Sequence, residues 1–114
     1  MPVLVDGNNL LHRMSRSRDE VRSLNLELAR HEGVRIIVVF DGPPPAGSPG
    51  RESLGRVSIV YSGGEAADEV IVRTIPDGRR ARDWVVVTDD RRLVERCRGR
   101  GARRRPLSSW IEKL

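Results

Sequence analysis

The sequence has one cysteine, one lysine, four aromatic residues and no long hydrophobic run. The lone Cys97 excludes an internal disulfide and a cysteine-based zinc site. The longest apolar run, residues 34–40, is interrupted by Arg35 and falls far short of the roughly 20 residues that a membrane-spanning helix needs. Residues 1–6 lack the basic and long apolar regions of a signal peptide, so we expect a cytoplasmic protein with no membrane partner.

The charge of the chain comes almost entirely from arginine. Lys113 is the only lysine among 21 basic residues, against 16 acidic ones, and the net charge is +5. Arginine presents a planar set of donors that matches phosphate geometry, so the bias suits a protein that binds nucleic acid. The arginine codons of a GC-rich genome explain the bias equally well, and the position of the charges therefore carries more weight than their number.

Short β-branched strands alternate with helices along a chain long enough for one domain, which we expect to span residues 1–114. The predicted strands are residues 3–5, 34–40, 57–61, 84–87 and a short one near 102–106. The predicted helices are residues 18–31 with Gly33 as the stop, 65–74, 91–98 with Gly99 as the stop, and a final helix capped by Ser108. This alternation predicts an α/β fold with a central, mostly parallel sheet of four to five strands and helices on both faces. Residues 41–55 are rich in proline and glycine and are predicted to form a mobile loop.

Carboxylates follow the predicted strands where each strand ends or where the next helix begins. These residues are Asp6, Asp41, Glu65, Asp68, Asp89 and Asp90. Glu65 and Asp68 are three apart, so both can point the same way along one helix face. In an open α/β sheet, ligands bind beyond the carboxyl ends of the strands. Converging carboxylates repel one another unless a cation neutralises them, and oxygen ligands without histidine or cysteine favour Mg²⁺ or Mn²⁺. Such an ion can activate water for phosphodiester hydrolysis.

Each of these residues also has a structural interpretation, because aspartate at a strand end commonly forms a turn or caps a helix. Four separate edge positions that all carry aspartate favour the metal site. Gly7 lets the chain turn sharply after the first strand, and Asn9 either holds a metal-bound water or caps the next helix. Thr88 is a candidate to bind a metal-bound water or a phosphate. Asp89 and Asp90 come directly after Thr88. Of these two, we prefer Asp90 as the residue that faces the metal and Asp89 as a supporting residue or helix cap.

Five segments, taken in chain order, resemble the YacP-like NYN domain family, a branch of the PIN-like nucleases. The segments are residues 3–9 with Asp-Gly-Asn-Asn at the end, 38–42 with Asp-Gly, 65–71 with Glu-Ala-Ala-Asp-Glu, 86–90 with Thr-Asp-Asp, and 101–109 with Gly-Ala and Ser-Ser. No single segment is specific, but the ordered set is, and it covers nearly the whole chain. The resemblance implies a PIN-like three-layer α/β/α fold and metal-dependent endoribonuclease activity.

Carried over residue by residue, the resemblance implies a set of functional positions. The catalytic and metal-binding residues would be Asp6, Asp41, Asp68 and Asp90. The supporting residues would be Asn9, Glu65, Thr88 and Asp89. The chain departs from the family in two respects. It is shorter than typical members, so part of the substrate channel is expected to be missing or to come from a second copy. Asp89 also stands where a small polar residue is more usual, which leaves the choice between Asp89 and Asp90 open.

Arginines flank the acidic edge in two clusters, one at residues 13–18 and one at residues 91–105. Because an acidic pocket cannot attract a polyanion by itself, these cations are candidate phosphate contacts. The candidate RNA-binding residues are Arg13, Arg16, Arg18, Arg91, Arg92 and Arg96. A solvated helix face is the alternative interpretation of both clusters. His12 and His31 are poor candidates for catalysis, although His12 lies near the acidic edge, where it could contact a phosphate.

The sequence therefore predicts an endoribonuclease that hydrolyses RNA through a Mg²⁺- or Mn²⁺-activated water held by the acidic cluster. The partners implied are RNA, free or on the ribosome, and a second copy of the chain in a homodimer. A catalytically silent RNA- or ribosome-binding module with the same fold is the alternative. A receiver-like or phosphatase domain is disfavoured, because the only lysine, Lys113, lies in the tail and not directly after the last strand, and because residues 6–8 lack a second aspartate.

Overall fold

A computed structural model describes residues 1–114 as a six-stranded sheet with helices on both faces. The strands are β1 Val3–Asp6, β2 Ile36–Phe40, β3 Arg51–Leu54, β4 Val57–Tyr61, β5 Val85–Val87 and β6 Arg103–Arg105. The helices are α1 Gly7–Met14, α2 Arg18–Glu32, α3 Ala67–Thr74, a 3₁₀ helix Gly78–Asp83, α4 Arg91–Gly99 and α5 Leu107–Ile111. None of these helices combines the length and the apolar composition needed to cross a membrane.

The strand order is β3-β4-β2-β1-β5-β6, and every pair is parallel except β3 with β4. The central strand β1 pairs on both sides, with Val5 opposite Val38 and opposite Val87. Since the strands are parallel, the carboxyl ends of β1, β2, β4 and β5 lie at the same edge of the sheet. This edge carries the candidate site.

The helices cover the sheet as two layers, because successive side chains of a strand point to opposite faces. Val3 and Val5 of β1 pack against α1, α2 and α5 on one face, in a cluster that includes Trp110. Leu4 of β1 packs on the other face, against α3, α4 and the 3₁₀ helix, in a cluster that includes Cys97. This arrangement confirms the predicted three-layer α/β/α fold.

Two elements differ from the sequence prediction. The segment predicted as a loop over residues 41–55 contains β3, which pairs antiparallel with β4 and adds a sixth strand at the edge of the sheet. The segment predicted as a turn at residues 6–9 begins helix α1, with Asp6 as its N-cap and Gly7 as its first residue. Gly7 therefore does not serve a sharp turn. A Cβ at this position would lie 2.6 Å from Cδ1 of Phe40, so glycine is needed for close packing.

Helix α2 ends as expected at Gly33, which has a φ of 66°. The end of α4 and the start of α5 differ from the prediction. Helix α4 instead includes Gly99, and the left-handed glycine that follows it is Gly101, with a φ of 103°. Helix α5 begins after Pro106 and has no capping side chain of its own, so Ser108 is not its N-cap.

Candidate active site

The four predicted aspartates line one open cavity of about 290 Å³ at the carboxyl edge of the sheet. The residues that line it are Asp6, Asn8, Asn9, His12, Asp41, Ala66, Ala67, Asp68 and Asp90. They come from four separate stretches of the chain, which the parallel strands bring to the same edge. No arginine or lysine lines this cavity. The four carboxylates of the site therefore have no arginine or lysine in the cavity to neutralise them.

Asp6 is the most buried carboxylate of the site, with only 7% of the residue exposed. One of its oxygens accepts a hydrogen bond from the Thr88 hydroxyl at 3.0 Å, and the other accepts from the Asn9 N–H at 3.4 Å. Burial raises the pKa of Asp6 to about 6, since it removes water from the charged form. The two hydrogen bonds oppose this shift, and the neighbouring charges of Asp68 and Asp90 add to it.

Asp41 follows β2 and connects three parts of the site. Its N–H donates to the Asn8 side chain at 2.8 Å, and its carboxylate accepts from the Ala67 N–H at 3.0 Å and from the Ser62 hydroxyl at 3.3 Å. Helix α3 lacks a local side-chain cap, so the Asp41 carboxylate supplies an acceptor at its first residue. Arg18 donates to the Asp41 carbonyl and fixes the backbone from outside the cavity.

Asp68 and Asp90 face the cavity from the first turn of α3 and the N-cap of α4. Burial raises the pKa of Asp68, the charges of Asp90 and Asp41 add to the shift, and Arg96 opposes it. Asp90 accepts from the Leu93 N–H at 3.1 Å through one oxygen. The other oxygen of Asp90 has no partner in the protein. Asp90 thus combines the capping role and the place in the cavity that the sequence left as alternatives.

Thr88 and Asn9 hold the acidic residues in place. The Thr88 hydroxyl lies 3.0 Å from Asp6 and 3.3 Å from the Asn9 side-chain oxygen, and it accepts from the Asp90 N–H at 3.0 Å. The Asn9 oxygen also accepts from the Asp89 N–H at 2.9 Å. These bonds connect the end of β5 to the start of α1, so they fix the distance between Asp6 and Asp90.

Two predicted supporting carboxylates do not line the cavity. Asp89 points away from it, and one oxygen accepts from Arg104 at 3.0 Å and from the Leu107 N–H at 3.1 Å. It therefore supplies an acceptor to the first N–H of α5, whereas the helix that begins at Arg91, for which the sequence offered Asp89 as a cap, is capped by Asp90. Glu65 precedes α3 instead of sharing a helix face with Asp68, and it forms a bidentate ion pair with Arg73 at 2.6 and 2.9 Å.

Three further polar residues at this edge of the sheet were not among the predicted site residues, although His12 was expected to lie near it as a possible phosphate contact. Asn8 and His12 lie four residues apart on α1, and both line the cavity. Their spacing puts them on one helix face, but the signal required α1 to be recognised as a helix. Ser62 follows β4, is buried, and bonds both the Gly42 N–H and the Asp41 carboxylate. Its place after a strand was the available clue.

The six predicted RNA-binding arginines fall into two groups. Four are already engaged: Arg13 with Asp89, Arg16 with Glu20, Arg18 with backbone carbonyls, and Arg96 with Glu69. Arg91 and Arg92 make no hydrogen bond or ion pair and lie exposed at the start of α4, next to Asp90. These two guanidinium groups are the ones free to bind a phosphate beside the cavity.

The donor chemistry of the cavity fits a hard divalent cation. The acidic side chains that line it are all aspartates, and their mutual repulsion adds to the raised pKa of Asp6 and of Asp68. No three acidic, histidine or cysteine side chains are close enough together to form a ready-made coordination shell. Mg²⁺ keeps several of its waters and binds through one or two carboxylates, so an open cavity of this kind suits it better than it suits zinc.

The model of the YacP-like NYN domain family matches residues 3–113 of the chain. The fold is similar to that of a crystal structure of Rae1 (YacP) from Bacillus subtilis, with 24% identity and a TM-score of 0.70 over 99% of this chain and 72% of that one. A tryptophan-to-leucine mutant of the same Bacillus subtilis protein gives 23% identity and a TM-score of 0.66, with 99% and 73% covered. No curated protein sequence matches the chain.

Proposed function

This chain belongs to the YacP-like NYN domain family, which gives it a nuclease-type fold, and we propose that it is a metal-dependent endoribonuclease that hydrolyses RNA phosphodiester bonds. One observation carries the proposal: four aspartates from distant stretches line one cavity that contains no arginine or lysine. Aspartates that serve only as caps at this edge would not need to share a cavity that lacks a counter-charge. Carboxylates that converge without a protein counter-charge are costly, and a bound cation offsets that cost.

Asp6, Asp41, Asp68 and Asp90 would hold Mg²⁺ or Mn²⁺, directly or through its waters. When bound, the ion would lower the pKa of a water molecule and offset negative charge at the phosphate. The protein's own residues have distinct tasks around it. Thr88 holds Asp6 and Asp90 in register through its hydroxyl. The free oxygen of Asp90 is available to accept a proton from the attacking water.

The arrangement of charge suits a single-stranded or exposed RNA. Arg91 and Arg92 are unpaired, exposed and adjacent in the chain to Asp90, which lines the cavity, and we assign to them the phosphates that flank the one to be cleaved. The cavity itself offers no phenylalanine, tyrosine or tryptophan on which a base can stack. Binding through phosphates predicts weak sequence preference. The ribosome as a binding partner, the homodimer and the cytoplasmic location remain predictions.

Asp90→Asn is expected to lower RNA cleavage by about 100-fold or more, because a neutral amide binds the cation more weakly than a carboxylate does and cannot accept the proton. Asparagine is as good an N-cap as aspartate, so α4 and the fold should persist. Cleavage of an end-labelled RNA oligonucleotide would be measured with Mg²⁺, with Mn²⁺ and with EDTA. Asp83→Asn, an exposed aspartate on the 3₁₀ helix, is the matched control and should cleave normally. Equal activity of Asp90→Asn and the control would contradict the assignment.

Arg91→Gln and Arg92→Gln are expected to weaken RNA binding and to reduce its salt dependence. Removal of one arginine–phosphate interaction should lower the slope of log affinity against log salt by about 0.7. Fluorescence anisotropy in EDTA measures the affinity without cleavage. Arg96→Gln is the control, since the Arg96 guanidinium is already paired with Glu69 at 2.8 and 3.1 Å. A larger loss of affinity for Arg96→Gln than for the other two would place the RNA elsewhere on α4.

A catalytically silent RNA-binding module is the second candidate, and the spacing of the carboxylates favours it. The carboxylates share a cavity but do not form a ready-made metal shell. A single experiment separates the two candidates. RNA binding in EDTA with no cleavage when Mn²⁺ is added would support the silent module, whereas cleavage that depends on Mn²⁺ or Mg²⁺ would support the ribonuclease.

A further inference from the structure

We propose that His12 is a catalytic residue of this site, which donates the proton taken up by the leaving sugar oxygen when the phosphodiester bond breaks. The inference rests on the proposed ribonuclease function and names a role that the four aspartates do not fill. With a cation bound, the four aspartates would be ionised, so they would accept protons and offer none. A leaving alkoxide is a strong base, so its departure is fast only if a donor protonates it.

The position of His12 is set by helix α1. The Asn8 side chain, one turn earlier on the same face, accepts from the Asp41 N–H at 2.8 Å, and this bond turns that face toward the cavity. His12 lines the same cavity as Asp6, Asp41, Asp68 and Asp90. It is the only imidazole among the lining side chains, and a ring nitrogen of an imidazole can carry a proton and donate it.

The imidazole of His12 is also free of other partners. It makes no hydrogen bond and no ion pair, and its residue is exposed at the cavity rim. His31, the only other histidine, is bound to Glu27 at 3.0 Å on the exposed face of α2. A hydrogen bond from His12 to a substrate phosphate in the cavity would therefore displace no protein contact. His31 serves as a natural control.

Atoms and electrons balance in this step. The oxygen of a water molecule attacks phosphorus and forms the new P–O bond, while one water proton passes to a carboxylate. The bond between phosphorus and the sugar oxygen breaks, and its electron pair goes to that oxygen. The imidazolium proton of His12 passes to the same oxygen, which leaves as a hydroxyl. Exchange with solvent then returns a proton to His12 and removes one from the carboxylate.

The test uses a leaving group that needs no proton. His12→Gln is expected to lower cleavage of an ordinary RNA oligonucleotide by about 100-fold or more, the usual range of general acid catalysis. The products of the wild-type reaction first show which sugar oxygen leaves, and a second oligonucleotide carries sulfur in place of that oxygen. On this oligonucleotide the loss should be no more than about threefold, because a thiolate leaves without being protonated. His31→Gln should match the wild type on both oligonucleotides, and circular dichroism should show that all three proteins are folded.

Two results would overturn the proposal. An equal loss on both oligonucleotides would mean that His12 only binds the phosphate, and no loss on either would mean that it has no role. A second readout does not depend on cleavage: in EDTA, the NMR signals of the His12 ring should shift when RNA is added, and unchanged signals would count against the contact. If the wild type cleaves neither oligonucleotide with any metal, the ribonuclease proposal itself fails, and the His12 role fails with it.

Discussion

Asp6→Asn is expected to abolish RNA cleavage and at the same time to stabilise the fold by about 1–2 kcal/mol at about pH 7.5. The ionised Asp6 carboxylate is buried, and its pKa of about 6 means that the folded state disfavours the charge. The rise of the Asp6 pKa from 3.8 to about 6 means that the charged carboxylate costs the folded state about 3 kcal/mol. The amide loses one hydrogen bond, which reduces the gain by about 1 kcal/mol. The Thr88 hydroxyl can turn to Asn9 instead, 3.3 Å away.

The stability gain should depend on pH in a defined direction. Because the folded-state pKa of about 6 lies above the ordinary 3.8, the folded protein binds the Asp6 proton more tightly than the unfolded chain does. The stabilisation from that proton is complete below pH 3.8 and is lost as the pH rises through 6. The advantage of Asp6→Asn should therefore shrink as the pH falls, and it should be greatest above about pH 7.

Urea denaturation in EDTA across this pH range measures the effect, with Asp83→Asn as the control for removal of an exposed carboxylate. Added Mn²⁺ provides a second comparison. At about 100 times its dissociation constant, an ion that binds only the folded state stabilises it by about 2.7 kcal/mol, and Asp6→Asn should lose most of that gain. An Asp6→Asn variant that is less stable than the wild type at every pH would show that its hydrogen bonds outweigh the cost of burial.

The convergence of the aspartates could be predicted because it follows from the sheet itself. Once 3–5, 34–40 and 84–87 are taken as parallel strands, Asp6, Asp41 and Asp90 must emerge at the same edge. No side-chain detail is needed for that step. The direction of each carboxylate is a different matter, since it depends on partners that are distant in sequence.

Asp89 illustrates why that direction could not be predicted. It is adjacent to Asp90 and has the same chemistry, yet it turns outward to accept from Arg104 and from the first N–H of α5. Those partners lie 15 and 18 residues further along the chain, and their proximity depends on β6 pairing with β5. The local sequence around Asp89 gives no indication that β5 and β6 pair.

The missed strand β3 has a similar cause. Its sequence, Arg-Glu-Ser-Leu, has weak β-propensity and follows a proline-rich stretch, so local signals favour a loop. It forms a strand because it pairs antiparallel with β4. Leu54 pairs with Val57 across a tight turn that contains Gly55. An edge strand with one partner depends on that partner more than on its own composition.

Gly7→Ala is expected to destabilise the protein by about 2–3 kcal/mol, the upper part of the range for overpacking in a core. The new methyl would lie 2.6 and 2.7 Å from two ring carbons of Phe40 and 2.8 Å from the Val39 carbonyl oxygen. Phe40 is fully buried, and Val39 is held by the sheet, so neither can move aside at low cost. Helix propensity predicts the opposite sign, since alanine is favoured over glycine by about 1 kcal/mol.

Gly99→Ala separates the two effects. Gly99 is also helical, has no positive φ and would meet no atom within 4 Å, so alanine there should stabilise the protein by up to about 1 kcal/mol. Urea denaturation followed by tryptophan fluorescence gives both values. If Gly7→Ala also stabilised the protein, α1 would have room to move away from β2. The Asn8 contact to Asp41 and the placement of His12 at the cavity would then no longer be fixed by packing, because both depend on α1 lying directly against Phe40.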